Sequence, residues 1–101
     1  MNRTELVETV LDSLREVLES MDEAPAGAPV DEATVLMGDG AVLDSMRVVS
    51  LIVDVEQRLE ESVGVSLTIA DERAMSMRRS PFRTVGSMVD YLQVLLQERG
   101  A

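Results

Sequence analysis

Leu6, Val7, Val10, Leu11, Leu14, Val17, Leu18 and Met21 recur at the three-to-four spacing of one helix face, while Glu5, Glu8, Asp12, Arg15, Glu16 and Glu19 fall on the other. The pattern predicts a first amphipathic helix. Asn2 followed by Glu5 makes a capping pair at its start, and Pro25, Gly27 and Pro29 stop it by about residue 23. A long connection then runs from about residue 24 to 43. Val30, Val35, Leu36, Met37 and Leu43 punctuate it and predict several points of attachment to the core, because long structureless loops are uncommon in compact domains.

A second helix is predicted from Ser45 to about Ser62, with Met46, Val49, Ile52, Val55, Leu59 and Val63 spaced by three or four and Gly64 as its stop. On this reading Val49 belongs to the core, Met46 is shared between core and surface, and Val48 and Val53 fall outside the main stripe. Val65 to Ile69 is too short to anchor a sheet. Asp71 is placed to cap a short third helix through Ala74, Met75 and Met77, which Arg78-Arg79-Ser80-Pro81 breaks. Thr84 then caps a last helix carrying Val85, Met88, Val89, Leu92, Leu95 and Leu96, with Gly100 at its end. The expected architecture is all-α: a small antiparallel bundle of three main helices and one short helix with a long first loop, forming a single domain over residues 1–101.

Composition narrows the chemistry. Phe82 and Tyr91 are the only aromatics, so the core is aliphatic. Cysteine and histidine are absent, which removes thiol nucleophiles, imidazole bases, disulfides and soft metal ligands. Most enzyme classes fall away with them. The net charge of -10 disfavours nucleic acid and anionic membranes and favours basic protein partners. Residues 1–50 hold 11 acidic and 3 basic side chains, whereas residues 51–101 hold 8 and 6, so the first half sets the field. No apolar run reaches the roughly 20 residues of a membrane span. The opening Met1-Asn2-Arg3-Thr4-Glu5 carries no signal-peptide core, and a cytoplasmic monomer is expected.

Candidate chemistry concentrates at Asp44-Ser45-Met46, where the turn-rich Gly38-Asp39-Gly40-Ala41-Val42-Leu43 gives way to the second apolar run. Asp44 is a good N-cap, which puts Ser45 in the first helical turn. There the unpaired backbone N–H groups and the positive end of the helix dipole favour an attached phosphate, so Ser45 is a candidate phosphate-ester site.

The helix order, the acidic balance and Leu43-Asp44-Ser45-Met46 at the start of the second helix resemble an acyl carrier protein over nearly the whole chain. The match is close to that family's Asp-Ser-Leu signature. Further echoes are Leu59-Glu60-Glu61-Ser62-Val63-Gly64-Val65-Ser66-Leu67, and Thr84-Val85 leading to Asp90-Tyr91-Leu92. The resemblance implies 4'-phosphopantetheine on Ser45, transferred from coenzyme A by a phosphopantetheinyl transferase that also recognises Asp44. It implies acyl thioesters carried on that arm to loading, condensing or acyl-transferring enzymes, and a carrier that catalyses nothing itself. Arg47, Val48, Val53, Asp54 and Glu56 become candidate partner contacts, with Met46 beside the arm.

The chain departs from the family pattern in three places. Arg47 and Val48 stand where acidic or small polar residues are usual. The second helix is about one turn longer than usual, which keeps Val55, Leu59 and Val63 in register. The stretch from Leu67 to Thr84 is extended and carries Arg73, Arg78, Arg79 and Arg83. These departures point to polyketide, lipopeptide or other specialised biosynthesis over primary fatty-acid synthesis. A peptidyl or aryl carrier of nonribosomal synthesis is an alternative, although Gly38 and Gly40 do not supply its usual Gly-Gly-x-Ser pattern. An unmodified acidic helical adaptor is another. For Asp54, Glu56, Glu60 and Glu61, a recognition face and a merely solvated face are equally compatible with the pattern, and Arg78-Arg79 reads as a solvated loop that ends a helix.

Overall fold

In the computed structural model, residues 2–20, 30–37, 40–41, 43–69 and 81–100 are described, with Ser45 described through its backbone alone. Helix α1 spans Arg3–Glu19. Its start is closed by the expected capping box: the Glu5 amide donates to the Asn2 side chain at 2.8 Å and the Asn2 amide donates back to Glu5 at 3.1 Å. Leu6, Val10, Leu14 and Val17 are buried along one face. Ser20 forms the C-cap, so the helix ends before the expected residue 23, and Met21 lies outside the described residues.

Helix α2 spans Ser45–Val63, with Gly64 in the left-handed conformation (φ 72°) as its stop, its amide donating to the Glu60 carbonyl at 2.9 Å. Its core face is Val48, Leu51, Ile52, Val55 and Leu59. This corrects the sequence reading. Val48, expected outside the stripe, is only 4% exposed, whereas Val49, expected in the core, is 59% exposed. A run of strict three-residue steps such as Met46-Val49-Ile52 drifts about 60° round a helix per step, while Val48, Leu51, Ile52, Val55 and Leu59 stay within one narrow sector.

Helix α3 spans Val85–Glu98 and begins at Thr84, whose side chain accepts from the Ser87 amide at 3.0 Å while Ser87 Oγ accepts from the Thr84 amide. Val85, Met88, Val89, Tyr91, Leu92, Leu95 and Leu96 are buried. Helix α1 packs against both α2 and α3. The described residues thus form a small all-α bundle without strands. The short helix expected after Asp71 falls outside them.

Part of the long connection is tied to the start of α3. Val35 and Thr84 form an antiparallel bridge, flanked by Leu36 N–H to Arg83 C=O at 2.7 Å, Val85 N–H to Thr34 C=O at 3.1 Å and Gly86 N–H to Glu32 C=O at 2.8 Å. A side chain at position 86 would put its Cβ 3.2 Å from that Glu32 oxygen, so glycine permits the close approach. Leu36 and Leu43 are sunk into the core, Val35 is half-buried, and Val30 packs against the core edge. The described part of the loop is pinned at Val30, Val35, Leu36 and Leu43 as its hydrophobic punctuation predicts, whereas Met37 is exposed. Arg3 adds a polar tie, pairing with Glu32 at 2.7 Å and also with Asp90, while donating to Gln93 at 2.9 Å.

A second polar tie joins α1 to α2. Ser13, fully buried, donates to Asp54 at 2.5 Å, Arg58 Nε donates to the same carboxylate at 2.6 Å, and Arg58 also pairs with Glu16. Partial desolvation pushes the Asp54 carboxyl up, but the hydrogen bonds from Ser13 and Arg58 and the Arg58 charge outweigh it, leaving the group below its ordinary value. The carboxyl is therefore more acidic in the folded chain than in the unfolded one. Its contribution is complete above the unfolded-state pKa and is lost as pH falls through the lower folded-state value.

Two outcomes follow for stability. Asp54→Asn should lower unfolding free energy at pH 7 by about 1 kcal/mol and make stability less sensitive to acid than in the parent, as urea titrations at pH 7 and in the acid range would measure. Leu36→Ala should cost about 2–4 kcal/mol by urea unfolding, because it empties a fully buried site where the segment 32–36 meets the bundle.

Candidate functional site

Gly40, with φ 78°, turns the chain in a region of backbone space that suits glycine, and Leu43 then anchors it in the core. Asp44 follows at the surface with extended backbone and its carboxylate accepts from the Arg47 amide at 2.8 Å, while its carbonyl accepts from the Val48 amide at 3.0 Å. Ser45 is the first residue of α2. The buried leucine, the exposed cap and the helix start therefore follow one another in three consecutive residues. A helix start leaves N–H groups directed past its end and carries partial positive charge, an arrangement that suits a phosphate diester.

Met46 is 81% exposed, and it shares a face with Val49 and with Val53, which is 46% exposed. Val53 is thus at the surface, as its position outside the core stripe predicts. Arg47 is half-buried beside the cap. Val48 points into the core and is withdrawn from the exposed side.

Asp54 and Glu56, candidate partner contacts on a face that is also read as merely solvated, both bond within the chain. Asp54 is held by Ser13 and Arg58, and the Glu56 carboxylate accepts from the Ile69 amide at 2.8 Å, which fixes the segment beyond Gly64 so that Leu67 and Ile69 reach the core. Glu60 and Glu61 are exposed, and among the described residues neither is in an ion pair. Arg83 is exposed, whereas Arg73, Arg78 and Arg79 lie outside the described residues.

Periodicity had no means of finding Ser13, because a serine amid leucines reads as an interruption. Asp54 and Arg58 four residues apart on α2 were the available sign of a local ion pair. Among the described residues no cluster of metal-ligating side chains occurs, and no helix is long and apolar enough to cross a membrane.

Asp44→Ala should destabilise the chain by about 1 kcal/mol by chemical unfolding and speed hydrogen exchange at the Arg47 amide by more than the fall in global stability speeds the buried α3 amides.

Comparison of the chain with protein-family models, with curated proteins and with solved structures finds no match.

Proposed function

We propose that this chain is a carrier of the acyl-carrier type, in which the Ser45 hydroxyl bears 4'-phosphopantetheine. The observation that carries the reading is the start of α2 at Ser45, directly behind the exposed Asp44 cap and the buried Leu43 anchor. Local chemistry fits the group. The helix start favours the phosphate, and the absence of Cys and His leaves a chain whose own side chains offer neither a thiol nor an imidazole.

In the loading step the Ser45 oxygen attacks the pyrophosphate phosphorus nearest the pantetheine of coenzyme A. The serine proton passes to the transferase or solvent, the P–O bond of the anhydride breaks, and adenosine 3',5'-bisphosphate leaves. Asp44 caps the first turn of α2 and so fixes the helix start at which Ser45 stands. When bound, the arm supplies the thiol on which acyl groups ride as thioesters. Bond making belongs to partner enzymes: the transferase, then loading, condensing or acyl-transferring enzymes. Their setting is polyketide, lipopeptide or other specialised biosynthesis in the cytoplasm.

Intact mass after incubation with coenzyme A, magnesium and broad-specificity phosphopantetheinyl transferases tests the reading. One phosphopantetheine increment is expected on the parent and none on Ser45→Ala. An unchanged parent mass with several transferases would turn the reading toward an unmodified acidic adaptor.

A further inference from the structure

The first amides of a helix have no acceptor within their own ladder. In α3 two of them are satisfied from a distant part of the chain: Val85 N–H donates to the Thr34 carbonyl at 3.1 Å and Gly86 N–H to the Glu32 carbonyl at 2.8 Å, while Leu36 N–H donates back to the Arg83 carbonyl at 2.7 Å. Residues 32–36 are thus a strap that caps α3, with the fully buried Leu36 as its anchor. The turn that opens the strap is closed on itself. The Asp31 amide donates to the Thr34 hydroxyl and the Ala33 amide to the Asp31 carboxylate, each at 2.9 Å, and neither bond crosses to the bundle. Because the α3 amides it satisfies lie outside the intrahelical ladder, the strap can leave without α3 unwinding.

Arg3 closes this arrangement from a third side. Its guanidinium pairs with Glu32 on the strap at 2.7 Å and with Asp90 on α3, and donates to Gln93 at 2.9 Å. Arg3 is the first residue of α1, where the helix dipole disfavours a cation, so its charge is compensated by the strap and α3 and not by its own helix. Glu32 and Asp90 accept from the same guanidinium, and without it two carboxylates face each other across the joint between strap and α3. We infer that the strap is a charge-operated latch: residues 32–36 open from the start of α3 as one local unit, held shut by Arg3 and driven open by repulsion between Glu32 and Asp90 when Arg3 is withdrawn. The side chains of Arg3, Glu32 and Asp90 are 40%, 50% and 69% exposed, so dissolved ions reach the latch. Opening bares the core seat of Leu36 together with the Val85 and Gly86 amides. The latch stands apart from the carrier reading and requires no modification of Ser45.

Amide exchange of the full chain, followed residue by residue by NMR, tests it, with the mid-α1 amides of Val10 and Leu14 reporting global opening. In the parent, Leu36, Val85 and Gly86 should share one protection factor, about tenfold or more below that of Val10 and Leu14. Arg3→Gln should lower this shared factor a further fivefold or so relative to Val10 and Leu14, and adding Asp90→Asn to Arg3→Gln should recover most of the loss, because it removes the repulsion. Added salt should lower the strap factor relative to Val10 and Leu14 in the parent, where it screens attraction, and raise it in Arg3→Gln, where it screens repulsion. Arg99→Gln makes the same change in net charge at an exposed site beyond α3 and should leave the ratio at the parent value. Strap amides that exchange only together with Val10 and Leu14, a double variant as open as Arg3→Gln, or salt responses of the same sign in parent and Arg3→Gln would each overturn the latch.

Discussion

One face of α1 has to be covered from two sides at once, and the rest of the architecture depends on that. Leu6, Val10 and Leu14 are fully buried, and a lone helix of this length is marginal in water until such a face is sealed. Helices α2 and α3 seal it from either side. With an aliphatic core almost free of aromatic bulk, no single side chain dominates the packing, and the molecule relies on many close contacts among Leu, Val, Ile and Met. The strap at residues 32–36 serves the same end, since its backbone bonds to residues 83–86 carry Leu36 into the core next to the start of α3.

Polar groups then fix what hydrophobic burial leaves loosely defined. Burial has no direction, so apolar faces alone tolerate sliding and rotation. Ser13, Asp54, Arg58 and Glu16 pin α1 to α2 at specific residues, and Arg3 pins the start of α1 to the strap and to α3. The two ties lie toward opposite ends of α1. Among the described residues no buried side-chain polar atom is left without a partner, so the Ser13 hydroxyl in the core is compensated.

Much of this was legible in the sequence because local rules and tertiary packing agree. The Asn2-Glu5 capping box, the Asp44 and Thr84 caps, the Gly64 stop and the apolar rows of α1 and α3 follow from short-range geometry that the residues themselves encode. The burial of Leu36 and Leu43 was foreshadowed by apolar residues in an otherwise polar connection. Helix α2 was harder. It carries apolar residues on two sides, so spacing by threes and fours can be threaded through either set, and which set is buried depends on where α1 lies. The strap's pairing with residues 83–86 joins positions some fifty apart in the chain and leaves no periodic trace. The candidate site was legible as far as Asp44 and Ser45. The internal roles of Asp54 and Glu56 were not, because a carboxylate that faces a buried serine and one that faces solvent look alike in a sequence.

The two apolar stripes of α2 share a helix but no residue. Val48, Leu51, Ile52, Val55 and Leu59 answer to the bundle, while Met46, Val49 and Val53 answer to whatever meets the surface. Substitution in the exposed set leaves the buried packing in place, and additivity is expected between positions too far apart along α2 to touch. The outward set is therefore the freer one to change, since single substitutions at exposed positions leave the buried stripe, and with it the fold, in place.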